Sequence, residues 1–172
     1  MTRILGIDPG SNYTGYGIID IEGNHSKHIA HGHLHLNHIN LADKLHSIFI
    51  QLTEIIDRYN PDEMAIEKVF VHRNAESALK LGQARGTAIT ACAMKGLNVY
   101  EYTANQVKQA TVGKGHAAKE QVQHMVRVLL CLEKIPQSDA ADALAIAICH
   151  GHSRETLSHI SLAESFRQGR LK

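Results

Sequence analysis

The apolar residues of this chain change their period near residue 40, and that change constrains the fold more than any other feature. Before residue 40 they fall in strand-like segments separated by turn-length gaps. Arg3 to Asp8 (RILGID) is a short apolar run stopped by Pro9-Gly10, and it reads as a buried strand. Tyr13 to Ile21 is rich in β-branched and aromatic residues, and Glu22-Gly23-Asn24 then supplies turn chemistry. Lys27 to Leu36 partly alternates polar with apolar residues, as a strand with one wet face does. Three strands joined so closely imply an antiparallel meander.

From Leu41 the spacing becomes helical. Leu41, Leu45, Ile48, Leu52, Ile55 and Tyr59 recur every three or four residues, and Asn60-Pro61 closes the helix. A short strand, Met64 to Val69, precedes a second helix, Asn74 to Lys95, with Asn74 placed to cap it and Gly96 to stop it. Leu97 to Tyr102 is a further strand. Thr103 to Val112, Ala118 to Leu132 and Ser138 to Cys149 complete the helices, with Ser138 available as a cap. Strands separated by helices of this length pair in parallel. The expectation is therefore an α/β fold with a mixed five-stranded sheet, three strands antiparallel and the rest parallel, covered by helices. Residues 1–152 form one domain on this reading. The basic tail, 153–172, is assigned no structure and can be disordered.

At 172 residues the chain is long enough to bury a proper core. Its opening apolar run is too short for a signal peptide or a membrane span, so a cytoplasmic protein is expected. Cys92, Cys131 and Cys149 are widely spaced on apolar helical stretches and read as buried thiols in a reducing compartment. The net charge of +1 does not announce a nucleic-acid binder, but clustered carboxylates can mask local positive charge in such a sum.

Four carboxylates carry the chemistry. Asp8 ends the first strand, Glu67 lies in or at the end of the fourth, and Asp139 and Asp142 stand near the start of the last helix. The two strand acids interrupt core sequence, where a lone carboxylate is expensive without a cation or a solvent cleft. Spacing of i and i+3 puts Asp139 and Asp142 on one helical face, where like charges repel. Taken singly, an acid at a strand end is commonly just solvated, and Asp139 could merely complement the helix dipole. Together the four meet the needs of Mg²⁺, which takes hard oxygen ligands and keeps several waters. A pair of such ions can clamp the attacking and leaving oxygens of a phosphoryl displacement.

The motifs around these acids resemble those of the RuvC family of Holliday-junction resolvases. Gly6-Ile7-Asp8-Pro9-Gly10-Ser11 with Thr14-Gly15-Tyr16-Gly17 is similar to its opening motif, and Ala65-Ile66-Glu67-Lys68-Val69-Phe70 to its second. Ser77 to Gly86 (SALKLGQARG) resembles its long interface helix, and Asp139 to Ala147 (DAADALAIA) its closing motif. The first motif alone is shared widely, whereas all four in order, spanning about residues 3 to 152, are specific. The resemblance implies a ribonuclease H-like fold and an endonuclease that cuts four-way DNA junctions by paired symmetric nicks. It implies that Asp8, Glu67, Asp139 and Asp142 bind Mg²⁺, two ions per subunit with Mn²⁺ able to substitute, and activate water. It further implies a homodimer working with a branch-migration motor complex, RuvA and RuvB.

Two windows are locally basic, Lys68 to Lys95 and Thr103 to Arg127. Such patches can neutralise phosphates, though helix lysines are usually only solvated. The resemblance points to Lys108 and Lys119, bracketing Gly113-Lys114-Gly115, as DNA or catalytic-site lysines, and Lys114 and Arg73 are candidate DNA contacts beside them. Phe70, three residues past Glu67, is either core or an aromatic that stacks at an opened junction; the resemblance favours the second. His31, His33 and His35 alternate on one strand face. With no carboxylate ligands nearby in the sequence, an exposed polar face is the reading preferred over a transition-metal site. Ala78, Gly82, Gly86 and Thr90 form a small-residue stripe that could face the chain's own sheet or a second subunit.

Three alternatives stand beside the resolvase. One is another ribonuclease H-like nuclease cutting RNA–DNA hybrid or flaps, which would have to sense a 2′-hydroxyl. Another is a junction-binding protein without catalysis, against which four intact acids argue. The Gly6-Ile7-Asp8-x-Gly motif also resembles the first phosphate motif of actin-like and sugar-kinase ATPases, but these need two large domains.

Overall fold

The computed structural model describes residues 1–10, 12–23, 25–36, 40–69 and 75–169, the last with side chains to 154. Five strands, β1 (Thr2–Asp8), β2 (Tyr13–Glu22), β3 (His25–His35), β4 (Glu63–Glu67) and β5 (Asn98–Tyr102), form one sheet ordered β3-β2-β1-β4-β5. β1, β2 and β3 run antiparallel, while β1, β4 and β5 are parallel. This is the mixed sheet expected of a ribonuclease H-like fold.

Both faces are covered. α1 (Leu41–Tyr59) and α2 (Ala75–Met94) pack on the face that carries Leu5, Ile7, Ile18, Met64 and Ile66. α3 (Ala104–Val112), α4 (Lys119–Leu129) and α5 (Ser138–Gly169) cover the other, which carries Ile4, Ile19 and Ala65. Ile18 and Ile19 are adjacent in sequence and both fully buried, as a strand roofed on two sides requires. Local chemistry sets the helix ends. Asn40 caps α1 by accepting from the Asp43 amide at 2.9 Å, and Asn60 closes it at φ 46°. Thr103 and Gln106 form a reciprocal capping box on α3.

α5 is the element that makes the site, and glycines decide where it lies. Gly6 of β1 stands opposite Gly17 of β2, and Gly15 opposite Asp8. A Cβ on Gly6 would sit 2.1 Å from the Ala143 carbonyl oxygen, and one on Gly15 would sit 2.1 Å from that of Asp139. At Gly17 it would meet the Leu144 side chain at 2.7 Å. The bare backbone of β1 and β2 thus forms a trough in which the first turns of α5 rest directly on the sheet.

Several boundaries differ from the sequence expectation. α5 does not stop near Gly151; that glycine is buried against Ile21 within the helix, where its missing side chain serves packing. Ser138 does not cap: the first turn closes from Ala141 N to the Gln137 carbonyl at 2.8 Å, and the Ser138 hydroxyl is buried with no hydrogen-bond partner. α4 ends at Leu129, not Leu132. Its end is a Schellman turn, with Leu132 N donating to Arg127 O at 2.9 Å and Cys131 N to Val128 O at 3.2 Å. Cys131 therefore lies outside the helix and is exposed, unlike the buried Cys92 and Cys149. The proposed N-cap Asn74 lies outside the described residues.

Candidate active site

Strand register brings the first two acids together. Ile4 pairs with Glu63, Gly6 with Ala65 and Ile7 with Ile66, so Asp8 and Glu67 end neighbouring parallel strands on the face that α5 covers. The glycine trough lays the first turn of α5 across the same strand ends and adds Asp139 and Asp142. All four side chains are half-buried.

Their electrostatics set them apart from the molecule's other enclosed acids. Asp20, 5% exposed, is clamped by Arg3, with Nε–Oδ1 at 2.8 Å and a second guanidinium nitrogen to Oδ2 at 3.0 Å; its carboxyl is held below the usual range. Glu63 is bound by Arg154 at 2.6 Å and by His150 at 2.8 Å. The exposed Glu101 pairs with Arg85. Among the described residues the four site acids share a single ion pair, Lys119 Nζ to Asp142 Oδ2 at 3.0 Å. Burial, then the fields of Asp142, Glu67 and Asp139, push Asp8 up to about 8. Burial and Asp142 raise Glu67, and burial raises Asp142 despite its bond to Lys119. Burial works against the Lys119 ammonium, but Asp142, Asp8 and Asp139 more than offset it and lift its pKa.

Among the described residues, negative charge thus accumulates at one strand end with too little cation to balance it. Among the described residues, no three His, Cys, Asp or Glu side chains are gathered tightly enough to cage an ion by themselves. A hard cation that keeps its waters and also binds substrate phosphates needs only one or two carboxylates from the protein. The all-oxygen donor set fits such an ion.

Of the basic candidates, Lys119 touches the acids directly, and Lys108 acts on Glu67 and Asp142 through its field. Lys114 is exposed in the loop between them. Phe70 and Arg73 lie outside the described residues. The first basic window is less available than its composition suggests: Lys80 pairs with Glu76 and Lys95 with Asp57, each at 2.6 Å. Arg85, which the sequence presented as part of a helix motif and of the first basic window, reaches over the strand ends and donates from Nε to the Glu67 carbonyl at 2.9 Å. It positions the backbone of a site acid, a role no local pattern could reveal.

The small-residue stripe also resolves. Gly82, Gly86 and Thr90 are exposed, and a Cβ on either glycine would meet nothing within 4 Å. Ala84, Ala88, Ala91 and Cys92 pack toward the core instead. Leu79 and Met94, 63% and 73% exposed, flank the open face.

Comparison with known proteins agrees with the geometry. A family model described as crossover junction endodeoxyribonuclease RuvC matches residues 4–150. The enzyme so named from Hahella chejuensis is 51% identical over 172 residues, covering all of both chains. The one from Geobacter metallireducens is 60% identical over 152 residues, covering 88% of this chain and 93% of its own. Among solved structures, Thermus thermophilus RuvC in complex with a Holliday-junction substrate superposes with a TM-score of 0.84 at 35% identity, covering 91% of this chain and 97% of that one.

Proposed function

The chain belongs to the RuvC family of crossover junction endodeoxyribonucleases, and from that premise we propose that it resolves four-way DNA junctions by paired, symmetric phosphodiester hydrolysis at Asp8, Glu67, Asp139 and Asp142. The observation that carries the assignment of these residues is the charge imbalance. Asp20 and Glu63 each have their own arginine, while among the described residues these four share one lysine. Nucleases of this family are metal-dependent. The donor set supports Mg²⁺, two ions per subunit with Mn²⁺ as a substitute, which when bound would supply Lewis-acid stabilisation of the attacking and leaving oxygens.

The protein's own part is to hold the reacting groups. Asp8 and Glu67, on rigid neighbouring strands, fix one side of the site; Asp139 and Asp142, on the docked helix turn, fix the other. Lys108, Lys114 and Lys119 meet the scissile strand's phosphates, and Lys119 exchanges its bond to Asp142 for one to DNA. Phe70 and Arg73, just beyond Glu67 in sequence, contact the junction centre. The open face of α2 meets its copy in a two-fold dimer, which matches the symmetry of paired incisions. RuvA- and RuvB-type motor proteins act upstream. A cytoplasmic location accords with a DNA substrate and with the absence, among described residues, of a helix long and apolar enough to cross a membrane.

The test is Glu67→Gln, which keeps shape and removes charge. Cleavage of a labelled junction in Mg²⁺ should fall by orders of magnitude while junction binding survives, because the lysines hold the phosphates. Wild-type cleavage by this variant would overturn the assignment. Duplex and RNA–DNA hybrid in parallel lanes decide between a resolvase and a hybrid nuclease.

A further inference from the structure

β3 is an edge strand, and a bulge at Ile29 shifts its register against β2 between Ile18 and Ile19. From Ala30 to His35 the alternation is regular, so His31, His33 and His35 share one face. Pairing identifies that face. Asp8 stands opposite Gly15, Gly15 opposite His33, and Tyr13 opposite His35. Residues directly across from each other point the same way, and a Cβ on Gly15 would strike the Asp139 carbonyl. The imidazoles that the sequence presents as a polar strand face therefore lie on the face of the acids. His33 stands in the same row as Asp8, two strand spacings or roughly 10 Å away. Only Gly15 and the Asp139 turn that rests on it stand between them.

The rings in this row are organised. Tyr13 meets His33 edge-on, with centroids 5.4 Å apart at 84°, and His33 meets His35 at 4.6 Å and 71°. Tyr13 is 46% exposed, His35 is exposed and His33 half-buried. Edge-to-face contact fixes the orientation of the rings, so a ligand laid on them costs little side-chain freedom. β3 carries no Asp or Glu, so nothing on it repels a phosphodiester. His31, further from the acids, is engaged by His28 at 2.8 Å and stands apart from the cluster. Lys108 acts on Glu67 from the β4 side, and the order β3-β2-β1-β4 puts the rings on the opposite flank. A DNA strand crossing the acids thus meets lysine on one flank and rings on the other. Successive bases of a stacked strand lie about 3.4 Å apart, so the rings are within reach of the nucleotides next to a phosphate seated at the acids.

We propose that Tyr13, His33 and His35 form a base-stacking platform that receives unpaired nucleotides of the scissile strand on the β3 side of the cut. The inference rests on the junction-cleaving reading of the four acids and extends that site by one flank. Every base has a π-face, so the platform selects strands whose bases are unpaired beside the cut, as at the centre of a junction, over continuous duplex. The Tyr13 hydroxyl and the imidazole nitrogens can add hydrogen bonds to base edges.

Photocrosslinking tests this with the unaltered full-length protein. A four-way junction carries 5-iodouracil at one position at a time on either side of the mapped cut, and chelator keeps the strand whole during irradiation. Crosslinks from one side of the cut should localise to Tyr13, His33 or His35, and those from the other side should not. Crosslinks that touch none of the three rings from either side would overturn the platform. Tyr13→Ala and His33→Ala should each weaken junction binding by about 5- to 150-fold, the range that loss of one stacked base carries. At pH 8 the slope of log affinity against log salt should stay as in the wild type, because stacking displaces no counterions. Tyr13→Phe keeps the ring and should bind within a few-fold of the wild type, and His25→Ala, at the far end of β3, should bind as the wild type does. Wild-type affinity in Tyr13→Ala, in a protein that still cuts junctions, overturns the platform alone. A wild type that cuts no junction overturns the reading beneath it.

Discussion

Removing the charge of Asp8 should make the metal-free protein more stable while it destroys cleavage. The fold raises the Asp8 carboxyl from 3.8 to about 8, with burial the first cause and the neighbouring acids the next. A raised carboxyl pKa stabilises the fold only at low pH; relative to the unfolded chain that advantage is lost as pH rises from near 4 through 8. At pH 7.5 the resulting penalty is at most about 5 kcal/mol, at 1.36 kcal/mol for each pKa unit. Asp8→Asn escapes it, although burying amide hydrogens with poor partners takes back about 1–3 kcal/mol. The net gain is about 2–4 kcal/mol, and at about 2–4 °C per kcal/mol for a chain of this size the melting temperature should rise by roughly 4–16 °C. Thermal denaturation in chelator, measured from pH 4.5 to 8, reads this out: the two proteins should converge at the acid end and separate toward pH 8. Adding Mg²⁺ should then stabilise the wild type more than the variant, by about 2.7 kcal/mol at a hundredfold excess over Kd if the variant no longer binds. A variant less stable than wild type in chelator at pH 7.5, or an offset constant with pH, would refute the reasoning.

Gly15→Ala places a methyl 2.1 Å from the Asp139 carbonyl oxygen, so it should lift the first turn of α5. It should cost about 1–3 kcal/mol in chemical denaturation and depress junction cleavage more than junction binding. Gly86→Leu adds bulk where the monomer has open space, so the monomer fold should survive. If α2 is the two-fold interface, the clash enters twice, and sedimentation should show a folded monomer that no longer pairs its nicks. His150 is fully buried between Tyr102, at 2.7 Å, and Glu63, at 2.8 Å, and burial holds its pKa down. The unfolded chain therefore takes up a proton first as pH falls through about 6.5, and stability drops with it. His150→Asn should flatten that part of the stability–pH curve, and an unchanged slope would count against the buried-neutral state.

Much of this protein follows from patterns that neighbours in sequence settle among themselves. The apolar run of Arg3 to Asp8 stopped by Pro9-Gly10, the helical recurrence from Leu41 to Tyr59 and the stop at Asn60-Pro61 depend on residues within a turn or two. They appear in the structure within a residue or so of where the pattern puts them. The four motif acids are equally visible, because an acid inside an apolar run is anomalous wherever it occurs. What could not be read locally is which enclosed acids are paid for. Asp20 and Glu63 look as misplaced in their strands as Asp8 and Glu67, and only folding brings Arg3 across the sheet to one and Arg154, 91 residues away, to the other. The same holds for Gly6, Gly15 and Gly17, whose meaning is the helix that settles on them, and for Cys131, exposed because α4 ends in a turn instead of continuing. The one-residue bulge at Ile29 likewise reverses the facing of His28, which alternation alone would put on the far side from His31. Strand and helix periods are short-range properties of the backbone, whereas the balance of charge in a low-dielectric interior depends on every group the tertiary fold brings near.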